Sequence, residues 1–176
     1  MGVPQGSILG PILFLIFIND LINYLNTILP DIELVIFADD TNAIVAANDM
    51  VELTEKVNAT LQAFHVWFTA NKLFINNKKT QIMLFKTTAR NKDNLKVALN
   101  EVEIALVAEV KFLGIHIDQL LNWKPELKAI DASVSYACYA LRALRNEIGI
   151  EQLKMVYFAL VESKIRYSIL FLGKQL

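Results

Sequence analysis

Cysteine is nearly absent from this chain of 176 residues: Cys138 is alone, so no internal disulfide can form and packing must hold the fold. Its apolar helical surroundings predict a buried thiol in a reducing compartment. Histidine is scarce as well. His65 and His116 have no Cys or His partner at metal-ligand spacing, which argues against a zinc site and leaves both as structural residues. An excess of one charge is lacking too, because 17 Lys and Arg face 18 Asp and Glu. The global basic balance common in nucleic-acid-binding domains is therefore missing, and any such affinity must be local. Charged residues make up only 20% of the chain and hydrophobic residues 55%, too little charge for disorder and ample apolar material for a core. The run Ile12 to Ile18 is wholly apolar, but no Lys or Arg precedes it, and Asn19 and Asp20 interrupt it before it could span a bilayer. The expectation is a deeply buried helix and no membrane. The chain has no internal repeat and no low-complexity segment.

Met1 to Ser7, with its Gly, Pro, Gly and Ser, reads as a turn or loop. From Ile8 the apolar residues run almost unbroken to Leu25, which predicts a helix buried nearly all round. Ile32 to Ala38 and Thr41 to Ala46 are β-prone, and Asp39 and Asp40 join them as a hairpin. Asp49 is placed as a helix N-cap with Glu52 as its capping-box partner. Leu53, Val57, Leu61, Phe64 and Phe68 then form one apolar stripe on a helix ending near Asn71. Leu73 to Asn76 and Gln81 to Phe85 read as two short strands around a basic turn at Lys78 and Lys79. Thr87 to Asn94 reads as a loop, and Val110 to Ile117 as a strand. Pro125 fits the first turn of a helix reaching about Glu147. A last helix covers about Glu151 to Leu172. Helices on an antiparallel sheet define an α+β domain, with a boundary near Asp118 to Trp123 beyond which the terminal helices can stand as a separate bundle.

The adjacent carboxylates of Asp39 and Asp40 carry the most chemistry. Two like charges at a turn repel unless a cation sits beside them, and hard oxygen ligands suit Mg²⁺. Phosphoryl transfer by two metals uses such a site. Many turns contain two aspartates, so the pair alone says little. A second local feature is basic: Lys72, Lys78, Lys79, Lys86, Arg90, Lys92 and Lys96 share one stretch with Asp93 as its only acid, whereas Asp31 to Glu55 is acid-rich. A basic pole can track phosphates while an acidic one holds metals.

The combination of motifs resembles the reverse transcriptases of retrotransposons without long terminal repeats. Gly2-Val3-Pro4-Gln5-Gly6-Ser7, followed by Leu9-Gly10-Pro11, resembles the motif of that family which lies against template and incoming nucleotide. Phe37-Ala38-Asp39-Asp40 resembles its metal-binding motif, and Asn76 with Lys79-Thr80 the next one, whose lysine lies near the nucleotide phosphates. Phe112-Leu113-Gly114 resembles the primer-gripping segment. Trp67-Phe68 and Asn71-Lys72-Leu73 resemble further signatures of the group, so the likeness covers nearly the whole chain.

The resemblance implies a partial polymerase palm over residues 1–118 and a helical, thumb-like region over 119–176, with Lys154, Lys164 and Arg166 on the late helices. It implies Mg²⁺ as cofactor, bound by Asp39 with help from Asp40, and Lys79 as support for the leaving pyrophosphate. Pro4, Gln5, Gly6 and Ser7 would border the template and nucleotide. There Gly2 and Gly6 permit close approach of backbone, Gln5 offers donors and an acceptor, and Ser7 can cap the next helix. The implied partners are an RNA template, a DNA primer and deoxynucleoside triphosphates, and target-site cDNA synthesis would suggest the nucleus. The family's further metal-binding aspartate stands on a strand upstream of the Gly-Val-Pro-Gln-Gly-Ser motif. No residue here matches it, and Asp20 reads as a structural or helix-end residue instead. The expectation is a half-built metal site, an uncovered strand edge and no polymerase activity in isolation. Two other readings stand beside this one: a nucleic-acid-binding fragment without catalysis, and the palm of an RNA-directed RNA polymerase. The Pro-Gln-Gly segment and the alanine before the aspartates argue against the latter.

Overall fold

A computed structural model describes residues 6–87, 95–99 and 102–172. The chain divides into two compact units, Met1–Thr80 with Asp93–Ala105 and Gln81–Lys92 with Leu106–Leu176. The content is mixed, with long helices and small antiparallel sheets, in keeping with the α+β expectation. Among the described residues the strands form three separate two-stranded sheets.

The first unit opens with α1 (Leu9–Ile28). Pro11 is tolerated there because it sits in the first turn, where backbone N–H groups have no helical partner. Ser7 Oγ accepts from the Leu9 N–H at 3.3 Å, just outside the helix. The hairpin follows as β1 (Glu33–Phe37) and β2 (Asp40–Ile44), paired from Glu33↔Ile44 to Phe37↔Asp40. Its inner face, Leu34, Ile36 and Ala43, packs against a core of Ile18, Leu21, Leu25, Ala63, Phe64 and Trp67. The last three belong to α2 (Met50–Ala70). Asp49 caps α2 as expected, accepting from the Val51 and Glu52 N–H groups at 2.8 Å each. Glu52 reaches back to the Asn48 N–H at 3.0 Å, one residue before the cap in place of the cap itself. A two-residue pair that sequence periodicity is too short to reveal, β3 (Ala98–Leu99) with β4 (Val102–Glu103), completes the unit.

The second unit holds a hairpin, β5 (Glu109–Phe112) and β6 (Ile115–Asp118). Next come α3 (Lys124–Leu144), α4 (Ile150–Tyr157), a π-helical turn over Phe158–Glu162 and α5 (Ser163–Leu172). Asp118 organises the entry to α3, accepting from the Trp123 N–H at 2.8 Å and the Leu120 N–H at 3.3 Å.

Several expectations are corrected. The helix α1 is not buried all round. Leu21 is fully buried, but Ile16 is 68% exposed, and Ile12, Leu13 and Leu15 are also open. Its cover among the described residues comes from α2 and the β1–β2 hairpin on one side, so only the stripe Ile18, Leu21 and Leu25 is enclosed. At 20 residues and hydropathy 1.4, α1 is long and apolar enough to cross a membrane by length and composition, contrary to the expectation drawn from the shorter run Ile12 to Ile18. Asp20 lies within α1, away from its ends.

Leu73–Asn76 and Gln81–Phe85 are not strands. Their backbone groups find no ladder among the described residues beyond one bridge, Ile82↔Leu106. Val110–Ile117 is two strands, because Leu113 and Gly114 both take positive φ and reverse the chain. The last helix is interrupted by its π turn. Cys138 is exposed: its neighbour Ala137 takes the inward face of α3, and the next residue points about 100° away. The N-terminal loop through Gln5, and residues 88–94 of the expected loop with Arg90 and Lys92, lie outside the described residues.

Candidate active site and hairpin turns

Asp39 and Asp40 stand where strand pairing ends. Asp40 is the first residue of β2, opposite Phe37, and Ala38 with Asp39 forms the two-residue connection. Ala38 has φ +51, a left-handed conformation that costs a residue with a Cβ about 1–2 kcal/mol. A strained residue in a tight turn persists where surrounding structure over-determines it. Here the anchored inner face of the hairpin does so. Opposed residues share one face of a sheet, so Phe37 and Asp40 project together on the outer face; Phe37 is 61% exposed. Both aspartates are exposed, and neither takes part in an ion pair among the described residues.

Lys79 lies in a turn stapled by Asn76. The Asn76 carbonyl accepts from the Lys79 and Thr80 N–H groups at 2.9 Å each and from Thr80 Oγ1 at 3.0 Å, and Asn76 Oδ1 accepts from the Lys78 N–H at 3.1 Å. The Asn76 carbonyl thus closes the turn, and its side chain adds one bond to the Lys78 N–H, a usual property of Asn. Asn76, Lys79 and Thr80, singled out by sequence, therefore meet in one turn. Lys79 is exposed, and no ion pair joins it to Asp39 or Asp40 among the described residues. Gly6 has φ +87, which glycine adopts without strain, and Ser7 is half-buried at the start of α1. Pro4 and Gln5 lie outside the described residues.

In the second unit Phe112, Leu113 and Gly114 form the tip of the β5–β6 hairpin. Two central residues of positive φ, +47 and +88, make a primed turn, whose twist matches that of paired strands. Phe112 pairs with Ile115, which is buried. Sequence reasoning missed what supports this hairpin. Glu126, 5% exposed, accepts from the His116 N–H at 2.9 Å and from Ser168 Oγ at 2.7 Å. Tyr167 Oη donates to the Leu113 carbonyl at 2.6 Å. In sequence, Glu126 is an ordinary acid in the first turn of a helix, and nothing local marks it as buried.

Among the described residues no three His, Cys, Asp or Glu side chains converge as a metal cage. The pair Asp39 and Asp40 does fit a divalent cation as partial ligands: two exposed carboxylates, adjacent in sequence, that no cation of the described residues neutralises.

Comparison with known proteins agrees with the motifs. The family model described as reverse transcriptase (RNA-dependent DNA polymerase) matches residues 1–117. The chain belongs to that family. It is 29% identical over 179 residues to an RNA-directed DNA polymerase from mobile element jockey of Drosophila funebris, covering 98% of this chain and 19% of that protein. It is 31% identical over 124 residues to a retrovirus-related Pol polyprotein from type-1 retrotransposable element R1 of Bradysia coprophila, covering 70% of this chain and 12% of that one. A probable RNA-directed DNA polymerase from transposon BS of Drosophila melanogaster is 30% identical, with 82% and 16% covered. The chain is thus part of a reverse transcriptase domain of the kind carried by retrotransposons without long terminal repeats. It spans about a fifth or less of the length of these relatives, at 19%, 12% and 16%. No solved structure matches it.

Proposed function

We propose that this chain supplies the palm, over residues 1–118, and a thumb-like region, over 119–176, of an RNA-directed DNA polymerase. In that reaction the 3′ hydroxyl of a DNA primer attacks the α-phosphate of a deoxynucleoside triphosphate opposite an RNA template, and pyrophosphate leaves. The observation that carries the reading is the pair of exposed carboxylates at the β1–β2 turn, without an ion pair among the described residues and inside the segment matched by the reverse transcriptase family.

Asp39 and Asp40 are the residues that hold Mg²⁺. Bound there, divalent cations lower the barrier by offsetting negative charge on the attacking and leaving oxygens. Asp39 lies in the connection itself, so its carboxylate is free to turn toward a ligand. Asp40 is fixed by its pairing with Phe37 and presents its carboxylate from the outer face of the hairpin. Lys79, exposed on the turn that Asn76 braces, provides a positive charge for the phosphates and supports departing pyrophosphate. Pro4, Gln5, Gly6 and Ser7 border the template and nucleotide, and Phe112, Leu113 and Gly114 hold the primer strand.

A titration with Mn²⁺, followed by electron paramagnetic resonance, tests the metal assignment. Weak binding is expected for the wild-type chain, because water must complete most of the coordination sphere, and loss of it in the variant carrying both Asp39→Asn and Asp40→Asn. Equal Mn²⁺ uptake by that variant would reject the carboxylate pair. Primer–template binding that is the same in chelator and in Mg²⁺ would instead favour a nucleic-acid-binding fragment without catalysis.

A further inference from the structure

Two neighbouring residues of one helix hold the β5–β6 hairpin at two places. Tyr167 binds its tip, through the Leu113 carbonyl at 2.6 Å. Ser168 binds strand β6 one pair in from the tip, through a relay: Ser168 Oγ donates to Glu126 Oε1 at 2.7 Å, and Glu126 Oε2 accepts from the N–H of His116, which pairs with Lys111, at 2.9 Å. Ser168 and Glu126 are only 4% and 5% exposed, so each Glu126 oxygen is occupied by a protein donor where water is scarce. Removing either partner leaves a buried polar group unmatched. Successive helical residues project about 100° apart, which is what lets Tyr167 and Ser168 reach two different points of the hairpin. The π turn over Phe158–Glu162 lies directly upstream. Such a turn adds a residue to the helical repeat and so resets which face of α5 meets its neighbours, a use of π-bulges frequent at functional sites.

We propose that Tyr167 and Ser168 are positioning residues for a primer terminus: through them α5 fixes the Leu113–Gly114 turn against the 3′ end of the primer strand. The inference rests on the reading of Phe112–Gly114 as the primer-holding segment. The Tyr167 bond suits the role because it ends on a carbonyl inside the turn, where a shift of the tip would break it. The Ser168 relay suits it because it fixes β6 at His116, one pair away from the turn. A displacement of about 1 Å at a reacting group is enough to cost orders of magnitude in rate, so control of the tip is control of reactivity.

The test uses this whole chain and two duplexes of equal length, one with a recessed primer 3′ end carrying 2-aminopurine and one blunt. The wild type is expected to prefer the recessed end and to alter 2-aminopurine emission. Tyr167→Phe keeps the ring contact with Phe171, at 5.5 Å between centroids, and removes only the hydroxyl. It should lose about three- to tenfold of that preference, the factor expected for one hydrogen bond, with affinity for the blunt duplex unchanged. Ser168→Ala should lose the same preference and also melt earlier. Should Tyr167→Phe keep the full wild-type preference while amide exchange at Gly114 accelerates, the bond serves stability alone and the proposal falls. Should the wild type itself show no preference, the primer reading of the hairpin fails first and takes the positioning role with it.

Discussion

Trp67 Nε1 donates a hydrogen bond to Asp20 Oδ2 at 3.4 Å, joining α1 to α2 across 47 positions of sequence. The indole is only 4% exposed, and its ring also meets Phe17 and Phe68 at 5.7 and 5.3 Å between centroids. Asp20 is the only charged residue of α1. Asp20→Ala would leave the indole N–H without that acceptor and is expected to lower stability by about 1–2 kcal/mol. Asp20→Asn, which keeps an acceptor, should lose less. Urea unfolding of the two variants reads the difference, and equal losses would mean that the bond contributes nothing.

The one-sided burial of α1 makes its two faces unequal. Leu21→Ala, in the enclosed stripe, is expected to cost about 2–5 kcal/mol through lost contacts and the cavity left behind. Ile16→Ser, on the open side, should stay within about 0.5 kcal/mol. Thermal melting of both variants checks this, and a large loss from Ile16→Ser would mean that the surface is covered in solution.

The two hairpin turns respond to opposite substitutions. Gly114→Ala should lose about 1 kcal/mol, because φ +88 disfavours any Cβ. Space is not the cause, since the nearest atom to the added Cβ is Tyr167 Cε1 at 3.8 Å, an ordinary contact. Ala38→Gly relieves strain at φ +51 and should gain up to about 1 kcal/mol, offset in part by the freedom glycine has in the unfolded chain. If the strained turn serves to aim Asp39, the same variant should bind Mn²⁺ less well despite its higher melting temperature.

At the start of α2, the Asn48 N–H and then Lys56 hold the Glu52 carboxyl below the usual carboxylate range. Glu52 foremost, with Asp31 beyond it, raises Lys56 above the usual lysine range. The Lys56–Glu52 distance is 3.0 Å, and Lys56 to Asp31 is 3.9 Å. The depressed Glu52 contributes stability that is present above its ordinary value and is lost as pH falls through its folded value. The raised Lys56 contributes stability that is present below its ordinary value and is lost as pH rises through its folded value. Stability should therefore have a plateau between the two ranges. Glu52→Gln should flatten the acid limb and Lys56→Met the alkaline one in melting curves taken across pH, both effects shrinking with salt.

Much of the first unit was legible from sequence because its signals are local. The β-prone runs on either side of Asp39 and Asp40 defined the hairpin, Asp49 marked the start of α2, and Lys78 with Lys79 marked a turn. The motif set also named the family that comparison with known proteins shows. Where a run of apolar residues was read without its neighbours, the reading failed. Val110–Ile117 looked like one strand because alternation does not register a reversal, and Leu73–Asn76 looked like a strand although it has no ladder partner among the described residues. The continuous apolar run of α1 announced burial that the described packing does not supply.

The amino-acid sequence by itself determined the family, the β1–β2 hairpin and the cap of α2, because a turn, a cap or a motif is written within a few positions and fixed by short-range sterics and hydrogen bonds. Tertiary structure alone decided which side of α1 is covered, that Cys138 faces outward, and that Glu126 is enclosed between the His116 N–H and Ser168. It also decided that Tyr167 closes on Leu113, 54 positions away. Such contacts depend on how distant elements pack, and no window of sequence contains both partners.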